Sequence, residues 1–228
     1  MIVYDLKIIF IHIPKTGGTS IGNIFHPNIQ IKQNNHFYED YIKSNKQEHY
    51  AEHTTYSEYQ DILKSQNLDI SNYFTFSFVR NPYSRLVSLW KYWSLRKIGA
   101  KTILPKNNKL LNFLNTSGTS IKEFENFVYH LHSQKNKIYL FGDLQSTFIS
   151  PQQANFIGRF ENIIQDTTTL LRLVSNHTNI DMTNTIIPHL NQTSNSITEY
   201  LKFISSTETK NQIYEIYESD FSIFNYKY

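Results

Sequence analysis

The sequence predicts an α/β fold, a single domain with a central parallel sheet flanked by helices. Two segments and their shared plan predict it. Residues 6–13 (LKIIFIHI) are an apolar run of the length of one buried strand, and residues 73–79 (YFTFSFV) alternate Phe74, Phe76 and Phe78 with Thr75 and Ser77 at a period of two. Each run passes through a short loop into a helical pattern, and strands that alternate with helices build parallel sheets.

The elements follow in chain order. After the first strand, Pro14 to Gly18 form a loop and a helix starts near Thr19. Residues 27–52 are polar and aperiodic and read as loop. Thr55 and Glu58 have capping-box spacing, which predicts a helix over 56–66. Beyond the second strand, Pro82 suits the first turn of a helix over 82–96. Leu86, Leu89, Trp90 and Trp93 give that helix an apolar stripe. Residues 98–119 contain Pro105, Gly118 and several Lys and Asn, and read as an insertion or loop. Helices are expected at 120–132 and 161–175, with a short strand near 155–159 between them, and one or two amphipathic helices over 196–224. No internal repeat or linker divides the chain, so residues 1–228 are expected to form one domain.

Composition narrows the class. With 228 residues, 39% hydrophobic and 18% charged, the chain can bury a core and is globular. A net charge of +3 is too small to argue for nucleic acid, although it allows a local basic pocket for a small anion. There is no cysteine, which excludes disulfides and thiolate metal sites and fits a reducing compartment. The apolar run Ile8 to Ile13 is interrupted by His12 and is too short for a signal core or a membrane span. We therefore expect a cytoplasmic protein without a transmembrane segment.

Two constellations carry chemistry. The first is the run from His12 to Ser20 (HIPKTGGTS), between a buried strand and a helix. Gly17 and Gly18 allow positive φ and close approach of a ligand to the backbone. Unpaired N–H groups at the helix start, with the helix dipole, favour a bound phosphate or sulfate. Lys15 adds a positive charge; Thr16, Thr19 and Ser20 add hydroxyl donors. An NTPase P-loop places its Lys after the glycines, whereas Lys15 precedes them. The plainest alternative is a tight turn with an N-capped helix. The second constellation runs from Phe76 to Ser88 (FSFVRNPYSRLVS). Arg80 ends a strand and Ser88 lies about two turns into the next helix, at the carboxyl edge where parallel sheets bind ligands. A ligand with two anionic ends would suit both constellations. Arg85 reads as a structural or surface charge.

PKTGGTS after a strand, followed by FVRNPYSRLVS, resembles the sulfotransferases that use 3′-phosphoadenosine 5′-phosphosulfate (PAPS), above all the carbohydrate (heparan-sulfate-type) branch and its small bacterial relatives. Gly158 to Asn162 (GRFEN), His189 to Thr193 (HLNQT) and Ile213 to Tyr226 also resemble that family, so about two-thirds of the chain is covered. The resemblance implies a P-loop-like sulfotransferase fold and a role in polysaccharide biosynthesis. PAPS would be the sulfuryl donor, 3′-phosphoadenosine 5′-phosphate (PAP) the product, and a carbohydrate or other hydroxyl compound the acceptor, with no metal and no nucleic acid. It implies that Lys15, Thr16, Gly17, Gly18, Thr19 and Ser20 bind the 5′-phosphosulfate, and that Arg80 and Ser88 bind the 3′-phosphate. Asn191 and Thr193 are given no role. Golgi members of the family carry a membrane anchor, and none is expected here.

Sulfuryl transfer needs a cation facing the leaving phosphate oxygen and a base for the acceptor hydroxyl. Lys15 fits the first role. His53 resembles the family's His in the interval between the motifs and is expected as base, with His49 and Glu52 as its competitors. His12 is expected to orient the loop by hydrogen bonding. Two other functions stay open: a nucleotide-dependent phosphotransferase with a variant P-loop, and a non-catalytic nucleotide- or glycan-binding module.

Overall fold

The computed structural model describes residues 1–25, 53–95, 118–133, 143–185 and 197–227. They belong to two compact units, one of Met1–Val79 with Gln145–Gln192 and one of Arg80–Leu144 with Thr193–Tyr228.

The first unit is built on a four-stranded sheet of β1 (Ile2–Val3), β2 (Ile8–Ile11), β3 (Phe74–Val79) and β4 (Phe156–Arg159), in the order β1-β2-β3-β4. β2, β3 and β4 run parallel, with Ile11 opposite Ser77 and Val79 opposite Arg159, so they end at one edge of the sheet. The expected strand at 6–13 is shorter than its apolar run because Lys7 takes a left-handed φ of 50° in a turn closed by its N–H on the carbonyl of Tyr4 at 3.1 Å. That turn adds β1 as an antiparallel edge strand, Ile2 opposite Ile9. Two residues are too few to show periodicity in sequence, so β1 was not foreseen.

Alternation puts Ile8, Phe10, Phe76 and Phe78 on one face of the sheet. There they share a buried cluster with Ile21, Ile24 and Phe25 of α1 (Gly18–Phe25) and Leu170, Leu171 and Val174 of α5 (Ile163–Thr178). Side chains so fully buried each contribute about 1.5–3 kcal/mol. The cluster holds α1, and with it the preceding loop, against β2. Helix α2 (Tyr56–Ser65) starts on the predicted capping box: the Glu58 carboxylate accepts from Thr55 N–H at 2.7 Å, and Thr55 Oγ1 accepts from Glu58 N–H at 3.3 Å. Tyr56 N–H also donates to the Phe148 carbonyl at 2.8 Å, which anchors the chain just after His53. Helix α5 runs past the expected end at 175 and stops at Asn179, left-handed at φ 59°, as helix C-termini commonly do.

The second unit is helical: α3 (Pro82–Leu95), α4 (Ile121–Ser133), α6 (Ile197–Phe203) and α7 (Thr207–Ile223). Its core centres on Trp90, whose ring lies 5.3 Å from that of Phe124 and 5.5 Å from that of Phe203. Arg85 is buried here and donates Nη1 to the Asp143 carbonyl at 2.8 Å. Burial lowers its pKa, opposed by Tyr217, Asp220 and Asp143 nearby. It is a structural charge. Expected features at 27–52 and most of 98–119 lie outside the described residues. Among the described residues no helix is long and apolar enough to cross a membrane.

Candidate active site

The anion loop begins where β2 ends. Thr16 is fully buried and its Oγ1 donates to the Ile13 carbonyl at 2.8 Å, so the hydroxyl closes the loop on itself. In this structure the Thr16 hydroxyl proton serves the turn. Lys15 is left-handed at φ 67°, a conformation that costs a non-glycine residue energy and concentrates at functional sites. Gly17 has φ 86° and is the one glycine of the pair that needs positive φ. Gly18 opens α1 and is required for a different reason. A Cβ there would lie 1.9 Å from Cδ2 and Nε2 of His12, so the ring occupies that space. Gly17 in turn abuts Ile163 and Phe160, where an added Cβ would meet Ile163 Cδ1 at 2.7 Å.

The helix start is organised by the Gly17 carbonyl, which accepts from Ser20 N–H at 3.0 Å and Ile21 N–H at 3.3 Å. The amides of the preceding residues are those that a helix N-terminus offers to an anion. Thr19 is exposed at that terminus, and Ser20 is buried.

His53 belongs to the same unit as this loop. Its Nδ1 lies 2.9 Å from the backbone oxygen of His12. A carbonyl can only accept, so Nδ1 carries the hydrogen, and in neutral His53 the lone pair resides on Nε2. The two imidazoles meet edge to face, centroids 4.5 Å apart and planes at 61°. His12 also stacks on Phe10 at 5.5 Å. Desolvation by burial, reinforced by His53 and Lys15, holds the His12 pKa well below its ordinary value, so His12 is neutral at pH 7. The hydrogen bond seen at His12 joins its backbone carbonyl to His53 and is not the expected bond to the loop. His49 and Glu52 lie outside the described residues.

The second motif opens the second unit. Asn81 caps α3: its Oδ1 accepts from Tyr83 N–H at 3.0 Å, with Pro82 at the first helical position. Arg80 Nε donates to Ser84 Oγ at 2.9 Å, and Ser84 Oγ donates to the Asn81 carbonyl at 3.2 Å. Ser84 and Ser88 are four residues apart on α3 and so share a face. Arg80, tied to Ser84, is thereby directed along the face that carries the half-buried Ser88. Sequence reasoning passed over Ser84, although its spacing of four from both Arg80 and Ser88 was visible. Phe160 and Ile163 were also missed as supports of Gly17, because only the fold brings them to the loop. Asn191 and Thr193 lie outside the described residues.

A left-handed lysine, two sterically required glycines and a helix N-terminus at the carboxyl end of a parallel strand define a class of α/β proteins that grip a phosphate- or sulfate-like anion. A model of the sulfotransferase family matches residues 1–227, and the chain belongs to that family. It is 29% identical over 178 residues to carbohydrate sulfotransferase 11 of Rattus norvegicus, and equally to that of Mus musculus. Those matches cover 70% of this chain and 49% of each relative, so the chain spans about half the length of the curated relatives it matches. No solved structure matches it.

Proposed function

We propose that this protein transfers a sulfuryl group from PAPS to a hydroxyl of a carbohydrate, within one domain formed by residues 1–228. The observation that carries the reading is the loop from His12 to Ser20. Its left-handed Lys15 and the close packing at Gly17 and Gly18 support reading it as an anion site. Family membership and the name of the relatives support the donor and the acceptor class.

PAPS fits the donor set chemically: it brings anionic groups at its 5′ and 3′ positions, and its activated S–O bond supplies the sulfuryl group. The loop amides and Lys15 bind the 5′ end, and Lys15 neutralises charge that develops on the leaving phosphate oxygen. Arg80 and Ser88 bind the 3′-phosphate, with Ser84 orienting Arg80. Nε2 of His53 takes the proton of the acceptor hydroxyl as the new S–O bond forms and the bond to phosphate breaks. Nothing in this scheme calls on a metal. We further propose that the protein acts in the cytoplasm on intermediates of polysaccharide synthesis.

The test is ligand-dependent thermal stabilisation of the full chain. PAP at concentrations far above its Kd raises the melting temperature by mass action. Stabilisation by ATP with magnesium and none by PAP would favour the phosphotransferase reading instead.

A further inference from the structure

We infer that Thr16 is a positioning residue for Lys15: its hydroxyl closes the turn that carries the lysine and so sets where the ammonium stands. The inference rests on Lys15 facing the 5′ end of the donor, as proposed above.

Where β2 ends, three successive backbone carbonyls are taken by side chains from three parts of the chain. Ser77 Oγ of β3 donates to the Ile11 carbonyl at 2.7 Å. His53 Nδ1 donates to the His12 carbonyl at 2.9 Å. Thr16 Oγ1 donates to the Ile13 carbonyl at 2.8 Å. Ile11, Ile13, Thr16 and Ser77 are all buried, where a carbonyl left without a donor is costly. The first two bonds tie the exit of β2 to β3 and to the residues ahead of α2. The third governs how the chain leaves that exit.

The Thr16 bond reaches three residues back, the local pattern in which a threonine hydroxyl stands in for a backbone N–H in a turn. It brackets Pro14 and Lys15. The proline ring fixes its own φ, so one torsion of the bracketed turn is set in advance. Lys15 is left-handed at φ 67°, a region that a residue with a Cβ holds when its surroundings determine it. Lys15 has further interactions of its own. The Thr16 bond acts on something else, the backbone from which the lysine side chain departs. A change of φ at Lys15 swings the bond from Cα to Cβ and carries the ammonium away with it. A threonine that gripped the ligand directly would act independently of Lys15, whereas one that sets the Lys15 backbone acts through it.

That difference is read by a double-mutant cycle of Thr16→Val and Lys15→Ala in the full chain, with calorimetric titration of PAP. Valine keeps the shape of threonine and removes the donor. With Lys15 present, Thr16→Val weakens PAP roughly tenfold, the order expected when a charge-assisted contact is misplaced. In the Lys15→Ala background the same substitution weakens PAP by less than about twofold, because the interaction it served is already gone. Thr16→Ser restores the hydroxyl and binds PAP within about twofold of wild type. If Thr16→Val does not fold, Thr16→Ala takes its place in the cycle, with melting curves to establish folding. Equal losses with and without Lys15 overturn the positioning role and assign Thr16 to the ligand or to the loop as a whole. Wild-type affinity in the folded hydroxyl-less variant overturns it as well. No PAP binding by the wild type, or no loss in Lys15→Ala alone, overturns the donor reading itself, and this inference with it.

Discussion

Arg80 and Ser84 are joined by a hydrogen bond of 2.9 Å from Nε to Oγ, and Ser84 passes a second one to the Asn81 carbonyl at 3.2 Å. The pair turns a flexible arginine into a directed one. Arg80→Ala should weaken PAP by roughly ten- to a hundredfold, the worth of a charge-assisted contact to phosphate. Ser84→Ala should weaken PAP by a few-fold, because the guanidinium stays but loses its tether. Binding of adenosine 5′-phosphate should change little in either variant. Calorimetric titration with both nucleotides checks this, and equal losses for the two would assign Arg80 to folding rather than to the 3′-phosphate.

Lys15 combines a charge with a left-handed backbone at φ 67°. Lys15→Gly removes the charge and relieves the backbone, whereas Lys15→Ala removes the charge and keeps the strain. Both should lower turnover by about a hundred- to a thousandfold, the loss expected for an electrostatic contact to developing charge. Lys15→Gly should melt at a higher temperature than Lys15→Ala. Turnover near wild type in Lys15→Gly would show that the loop's shape, not the ammonium, matters.

Gly18 faces the His12 ring with no room for a methyl group. Gly18→Ala forces the ring or the helix start to move, and such overpacking costs about 1–3 kcal/mol. A lower melting temperature together with weaker PAP binding is expected. Unchanged values of both would mean that the ring moves aside without consequence.

His12 is held neutral by burial, so its folded-state pKa lies below the ordinary 6.5. Below pH 6.5 the unfolded chain takes up a proton that the folded chain refuses, and stability falls with acidification until the lowered folded pKa is passed. Thermal melts between pH 7 and that lower limit should show the slope, and His12→Gln should flatten it. A slope that persists unchanged in His12→Gln would assign it to another group.

Much of this architecture was legible in the sequence, for identifiable reasons. The Phe74, Phe76 and Phe78 alternation, the Thr55–Glu58 box and Pro82 are local signals, and β3, α2 and α3 follow them within a residue or so. β1 was illegible because its two residues are held only by pairing with Ile8 and Ile9. In the site, Lys15, Gly17 and Gly18 announced a loop, but sequence does not show that Gly17 needs its φ while Gly18 needs the space of a missing Cβ. The buried bond of Thr16 to Ile13 has no sequence signature because it exists only once the loop closes. The contact of His53 with His12 spans 41 residues and has no local signature.

Incubation of the purified protein with PAPS carrying labelled sulfur, in the presence of a panel of unsulfated glycans, tests the central claim most directly. The account predicts label in at least one glycan with stoichiometric release of PAP, abolished to within about a hundredth of wild type in His53→Ala, as the loss of a general base implies. Tight PAP binding with no label in any glycan or other hydroxyl acceptor would contradict it, and would leave a nucleotide-binding module in its place.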